Sequence, residues 1–165
     1  MRSLEKANAA PFMHKLIATG LGIGYIPKGG GTVASVACCA VWYIVQAGAT
    51  HSGGFSFFSP VLVTLLLTVV GIWSASVVEE QWGKDNYRVV IDEIAGMCIS
   101  LLFMPITVKS LLAGLFFFRL FDIVKPFGIR KLEKLKGGWG VMLDDVLAGV
   151  YANVLLQAAW LAGLL

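Results

Sequence analysis

Charge disappears from the chain over one long stretch, with no Asp, Glu, Lys or Arg between Gly29 and Val78. A membrane-crossing helix needs about 20 mostly apolar residues, so the stretch has room for two. His51-Ser-Gly-Gly-Phe-Ser-Phe-Phe-Ser-Pro60, rich in turn formers and aromatics, divides it. The pattern predicts spans over about 32–50 and about 60–78. Further on, residues 94–108 and 110–118 are uncharged on either side of Lys109. Met104-Pro105-Ile106-Thr107 reads as a turn, giving two shorter helices, about 94–105 and about 108–124, or one kinked, re-entrant unit. The last uncharged run, 146–165, predicts a fifth span.

Composition turns this pattern into a class. Of 165 residues, 58% are hydrophobic and 14% charged, and the mean hydropathy is +0.80. A soluble domain has about 25% charged residues, and a chain this short cannot enclose so much apolar surface in a core facing water. An ordinary soluble protein and a disordered one are excluded, and the net charge of +3 is too small to point to nucleic acid. The fold class expected is all-α: a polytopic membrane helical bundle of about four to five spanning or re-entrant helices. It forms one domain over 1–165, with 1–31 as an interfacial N-terminal segment and glycine loop and 32–165 as the bundle. No apolar run before residue 32 is long enough for a signal-peptide core, so the first span is expected to direct insertion.

Twelve of the 13 Lys and Arg residues fall in segments 1–31, 79–93 and 119–145, and only Lys109 lies in the opposite turns. The positive-inside rule then places the N-terminus in the cytoplasm. All ten Asp and Glu residues fall on that same face, so polar chemistry gathers at the cytoplasmic interface.

Two carboxylate pairs precede apolar runs: Asp92-Glu93 before Ile94, and Asp144-Asp145 before Val146. Helix capping is one reading. One cap needs a single acid, however, and each pair is followed by a glycine, Gly96 four residues after Asp92 and Gly149 four after Asp145. A glycine there lets a neighbouring helix approach the carboxylate. Two such helices side by side would gather four carboxylates, and an all-oxygen set of that charge suits Mg²⁺. Arg119 and Asp122 share a helix face and read either as a local ion pair or as a site, with Arg119 and Lys125 suited to phosphate and Asp122 to the metal. Pro27-Lys-Gly-Gly-Gly-Thr-Val-Ala-Ser35 reads as a flexible turn into a span or as an anion nest, with Thr32 and Ser35 able to cap the helix or bond phosphate. Arg130, Lys131, Lys134 and Lys136 form a basic run that faces anionic headgroups in the simplest reading, and Gly137-Gly138-Trp139-Gly140 reads as a turn. Cys38, Cys39 and Cys98 read as small buried hydrophobes, and His14 and His51 as structural. Cys-x5-Arg, Asp-x-Asp and Gly-x-Ser-x-Gly are absent, which leaves acids, a metal and water as the machinery.

Gly31-Thr-Val-Ala-Ser35, Lys84-Asp85, Val90-Ile-Asp-Glu-Ile-Ala-Gly-Met97, Phe118-Arg-Leu-Phe-Asp-Ile-Val-Lys-Pro126 and the block from Gly137 to Gly149 resemble phosphatidylglycerophosphatase A, in matching order over about residues 14–150. The resemblance implies a bacterial inner-membrane, Mg²⁺-dependent phosphoric monoester hydrolase that converts phosphatidylglycerophosphate to phosphatidylglycerol and inorganic phosphate. Under it, Asp92, Glu93, Asp122, Asp144 and Asp145 are expected to hold one or two Mg²⁺, with Asp92, Glu93 and Asp145 catalytic and Glu93 the base. Lys28, Gly31, Thr32, Ser35, Arg119 and Lys125 are expected to bind phosphate, and Lys84 and Asp85 to contribute from a loop. A small cation- or proton-coupled transporter is the alternative, and it would need polar residues along a route to the far side. A noncatalytic assembly subunit would not need this set of charges, and the Asp-Gly-x2-Ala-Arg block of a CDP-alcohol phosphotransferase is absent.

Overall fold

A computed structural model describes residues 10–52 and 59–165. Seven α-helices and no strands occur among the described residues: α1 (Phe12–Ala18), α2 (Gly30–Ser52), α3 (Ser59–Trp82), α4 (Ile91–Leu101), α5 (Val108–Val124), α6 (Ile129–Leu132) and α7 (Gly138–Leu161). Helices α2, α3 and α7 are long and apolar enough to cross a membrane. Helix α4 has 11 residues and α5 has 17. At 1.5 Å per residue they reach about 16 and about 26 Å, short of a hydrocarbon core of about 30 Å. The expected four to five spanning or re-entrant helices therefore become three long ones and a short pair joined at residues 102–107. Arg2, Glu5 and Lys6, and most of the turn expected at 51–60, lie outside the described residues.

The shortest of the principal helices sits at the centre. Helix α4 packs against α2, α3, α5 and most extensively α7, burying Ile91, Ala95, Gly96, Met97, Cys98, Ser100 and Leu101. Two glycines bring α4 and α7 together. A Cβ on Gly149 would fall on the Gly96 carbonyl, and a Cβ on Gly96 would lie 2.6 Å from the Asp145 carbonyl oxygen. The glycine spacing read from the sequence thus marks the crossing point. Asn153 of α7 closes the other end of α4 by donating to the carbonyls of Ser100 (3.0 Å) and Leu102 (2.8 Å), which the helix itself leaves unpaired. Helix α1 lies on α3, where His14 meets Trp73 edge to face at 4.4 Å. The three cysteines are buried and free, with Cys38 Sγ 3.4 Å from Cys98 Sγ across the α2–α4 contact.

One boundary departs from expectation. Residues 137–140 do not form a turn ahead of a helix at 146; α7 already begins at Gly138. Gly137 takes φ +65°, and the Gly138 N–H donates to Ser76 Oγ (2.9 Å) with no room for a side chain against the α3 backbone. Tertiary contact here overrides the poor helix propensity of glycine. As a result Asp144 and Asp145 sit inside α7 rather than at its start.

Candidate active site

Asp92 and Glu93 occupy the first turn of α4, and neither caps it: Val90 is the N-cap residue and no side chain bonds there. Asp144 and Asp145 are buried in the interior of α7. Capping therefore explains neither pair. The α4–α7 crossing places them face to face, and ligand oxygens from Asp92, Glu93 and Asp145 come within 4.8 Å of one another. Asp92 Oδ1 and Glu93 Oε2 are enclosed with no hydrogen-bond partner. Buried acceptors are almost always satisfied, so two orphans in one cluster mark a place for a positive ligand.

The electrostatics agree. Burial, followed by the charges of Glu93 and Asp145, pushes the Asp92 carboxyl well above its ordinary range. Burial also raises Glu93. Carboxyls in this state favour neutrality unless a cation compensates them. The residues present thus fit a divalent metal held by oxygen ligands.

Around this cluster lies a pocket of about 250 Å³. Arg119 and Asp122 from α5 enter it, with Arg119 Nη1 2.6 Å from Asp122 Oδ2 and 3.9 Å from Glu93 Oε1. Arg119 Nε makes no hydrogen bond although it is buried. Lys125 ends α5 in the left-handed region, φ +49°, followed by Pro126, which stops the helix. Its ammonium group donates to Asp144 Oδ2 (2.7 Å) and Glu133 Oε1 (2.6 Å). Burial alone would lower the Lys125 pKa, but these two bonds more than reverse it and raise it. Lys125 therefore stays charged beside the carboxylates. The strained backbone at residue 125 is the kind of cost that packing sustains at sites of function.

The glycine loop closes the pocket from the α2 side through Gly29, Gly30 and Gly31. Gly29 takes φ +79°, and Gly31 packs so closely on the Glu93 carboxylate that a Cβ would overlap it. Gly31→Ala is expected to lower the turnover this site supports about 10–100-fold by displacing the Glu93 carboxylate. The melting temperature in detergent should stay near wild type, because the clash is with the free end of a flexible side chain.

Not every expected residue meets in this pocket. Asp92, Glu93, Asp122, Asp144, Asp145, Arg119, Lys125, Gly31 and Asp85 do. Lys28 is exposed between two lining residues, Pro27 and Gly29. Thr32 is exposed on α2 and does not line the pocket. Ser35 is fully buried, and its hydroxyl donates to the Gly31 carbonyl of its own helix (2.9 Å). Lys84 lies outside this pocket, while its neighbour Asp85, at φ +53°, lines it. Three residues not singled out from the sequence are added: Glu133 through Lys125, and Asn86 and Tyr87 in the wall. Glu133 is the one acid within the basic run, and nothing in its spacing distinguishes it from a solvated charge.

The family model described as Phosphatidylglycerophosphatase A matches residues 16–160. A Bacteroides thetaiotaomicron protein with the provisional name phosphatidylinositol-3-phosphatase is 40% identical over 156 residues, covering 92% of this chain and 97% of its own. Proteins named phosphatidylglycerophosphatase A from Haemophilus influenzae and Escherichia coli are 35% and 32% identical, covering 87% and 86% of this chain and 86% and 80% of theirs. No solved structure is a significant match.

Proposed function

The chain belongs to the phosphatidylglycerophosphatase A family, and on that premise we propose that it hydrolyses the phosphomonoester of phosphatidylglycerophosphate, giving phosphatidylglycerol and inorganic phosphate, with Mg²⁺ as the ion. The observation that carries this reading is the orphaned carboxylate cluster of Asp92, Glu93 and Asp145 beside an arginine whose buried Nε makes no hydrogen bond. Asp144 and Asp122 stand next to the cluster as further ligands. The membrane is the bacterial cytoplasmic one, with the site on its cytoplasmic face. There a lipid can leave its acyl chains in the bilayer and bring its headgroup to the pocket.

A divalent cation, when bound, supplies Lewis-acid polarisation of the phosphoryl group and activates water for attack. The chain does the rest. Arg119 binds a phosphoryl oxygen through its free Nε, with Nη1 paired to Asp122, and the Nε contact tightens as charge develops. Lys125 adds a fixed positive charge and holds Asp144 in place. Glu93, whose carboxylate is held against Gly31, takes the proton lost by the attacking water. The phosphorus–oxygen bond to glycerol breaks, and the departing oxygen takes a proton from solvent at the pocket mouth. Gly29 to Gly31 bring backbone to the phosphate where a side chain would obstruct it.

The reading is tested by incubating the purified protein with phosphatidylglycerophosphate and Mg²⁺ and following lipid and phosphate by mass spectrometry and colorimetry. Equimolar phosphatidylglycerol and inorganic phosphate are expected. Intact substrate after prolonged incubation with folded protein would overturn the reading and leave cation transport as the use of the carboxylates.

A further inference from the structure

Arg119 belongs to two cavities. Its guanidinium enters the candidate active site, where Nη1 meets Asp122 and the buried Nε makes no hydrogen bond. Arg119 also lines an open groove of about 460 Å³ along α5, with Leu112, Leu115, Phe116 and Leu120. No other residue lines both. The lining of the groove is almost wholly apolar, so Arg119 meets it with its hydrocarbon stem while its charged head turns to the carboxylates.

The groove opens outward from the bundle: Leu112 and Phe116 are each 63% exposed. In a bilayer that surface meets hydrocarbon. From Arg119 the groove runs back along α5 to Leu112, away from the Lys125 end, a length of about 10 Å. A larger apolar cavity, of about 500 Å³, lies between α2 and α3, but it shares no residue with the candidate active site. Of the two, only the α5 groove joins apolar surface to a buried cationic donor without a partner. An anionic head on a hydrocarbon tail satisfies both ends at once. We propose that the lipid substrate enters the site sideways past α5, with one acyl chain in the groove of Leu112, Leu115, Phe116 and Leu120 and its phosphomonoester at the guanidinium of Arg119. The polar linker between them follows the length of the Arg119 side chain. The inference rests on the phosphomonoesterase reading and deepens it, because it assigns the side of the bundle from which the lipid is taken and the residues that hold its tail.

The test uses the full chain in nonionic detergent with Mg²⁺. Leu112→Ala/Phe116→Ala trims the groove at exposed positions. Leu65→Ala/Val69→Ala removes comparable exposed apolar surface from α3 and touches neither cavity. With dioleoyl phosphatidylglycerophosphate, kcat/KM should fall roughly 10-fold in the first variant, mainly through KM. In the second it should match wild type, and both should melt near the wild-type temperature. A second readout needs no turnover. Phosphatidylglycerol with a diazirine midway along one acyl chain is irradiated with wild-type protein, and adducts are mapped by mass spectrometry. Adducts should concentrate on residues 112–120 and be displaced by excess unlabelled phosphatidylglycerol. Wild-type kcat/KM in Leu112→Ala/Phe116→Ala, equal losses in both variants, or displaceable adducts concentrated in the α2–α3 cavity would overturn the proposal. Absence of phosphate release by the wild-type protein would instead overturn the phosphomonoesterase reading. The adduct map is read without phosphate release, so the two failures are distinct.

Discussion

Asp145→Asn is expected to abolish phosphate release, lowering kcat by on the order of 10³-fold or more, the scale for losing a directly engaged electrostatic group. The substitution preserves shape and removes one charge from a cluster that also contains Asp92 and Glu93. Asp145 is buried on α7, and its carboxylate oxygens face other acids rather than a basic partner. In the absence of metal these like charges oppose folding, so Asp145→Asn should melt at the wild-type temperature or above it. Activity and stability then move in opposite directions, as expected where a site is maintained for function at the expense of stability. Phosphate release and detergent thermal melts, measured without and with Mg²⁺, give both quantities. A stabilising shift on adding Mg²⁺ is expected for wild type and should be lost in the variant. Full activity in Asp145→Asn, or a collapse of stability, would contradict the role assigned to this carboxylate.

The second large effect comes from a residue with no functional group. Gly149→Ala would put a methyl group onto the Gly96 carbonyl and its Cα, both backbone atoms that cannot rotate away. Relief requires α4 and α7 to separate, and overpacking of this kind costs about 3 kcal/mol. Separation also pulls Asp145 from Asp92 and Glu93, and a shift near 1 Å in a reacting constellation can cost about 10²-fold in rate. Gly149→Ala is therefore expected to lower both melting temperature and kcat. Gly48→Ala, where an added Cβ meets nothing within 4 Å, should change neither appreciably. Equal behaviour of the two variants in melts and in phosphate release would remove the close helix crossing from the account.

The features legible in the sequence were those with few physical alternatives. Carboxylates beside apolar runs need a partner or a ligand, which made Asp92, Glu93, Asp144 and Asp145 conspicuous, and Gly96 and Gly149 showed where two helices could meet. The structure brings these six residues to one crossing. Boundaries that depend on tertiary contact were hidden. Gly138 begins α7 because it rests on Ser76 of α3, which no local pattern announces. Starting α2 at Gly30 likewise turns Ser35 into the interior and leaves Thr32 exposed, although spacing alone made both plausible phosphate ligands. The bonds from Lys125 to Asp144 and Glu133 join residues 19 and eight positions apart through a chain reversal, so they too required the fold. The short α4–α5 pair left two readings open because apolar runs of that length suit a core helix as well as a membrane one.

The central claim is that the carboxylates of the α4–α7 crossing hold a divalent cation on which hydrolysis of a lipid phosphomonoester depends. Phosphate release from phosphatidylglycerophosphate by the purified protein in detergent, titrated with Mg²⁺ and then with EDTA, tests it most directly. The account predicts release that rises and saturates with Mg²⁺, stops with EDTA and returns when Mg²⁺ is restored in excess. Release that continues at an undiminished rate in excess EDTA, from protein freed of bound metal, would contradict it.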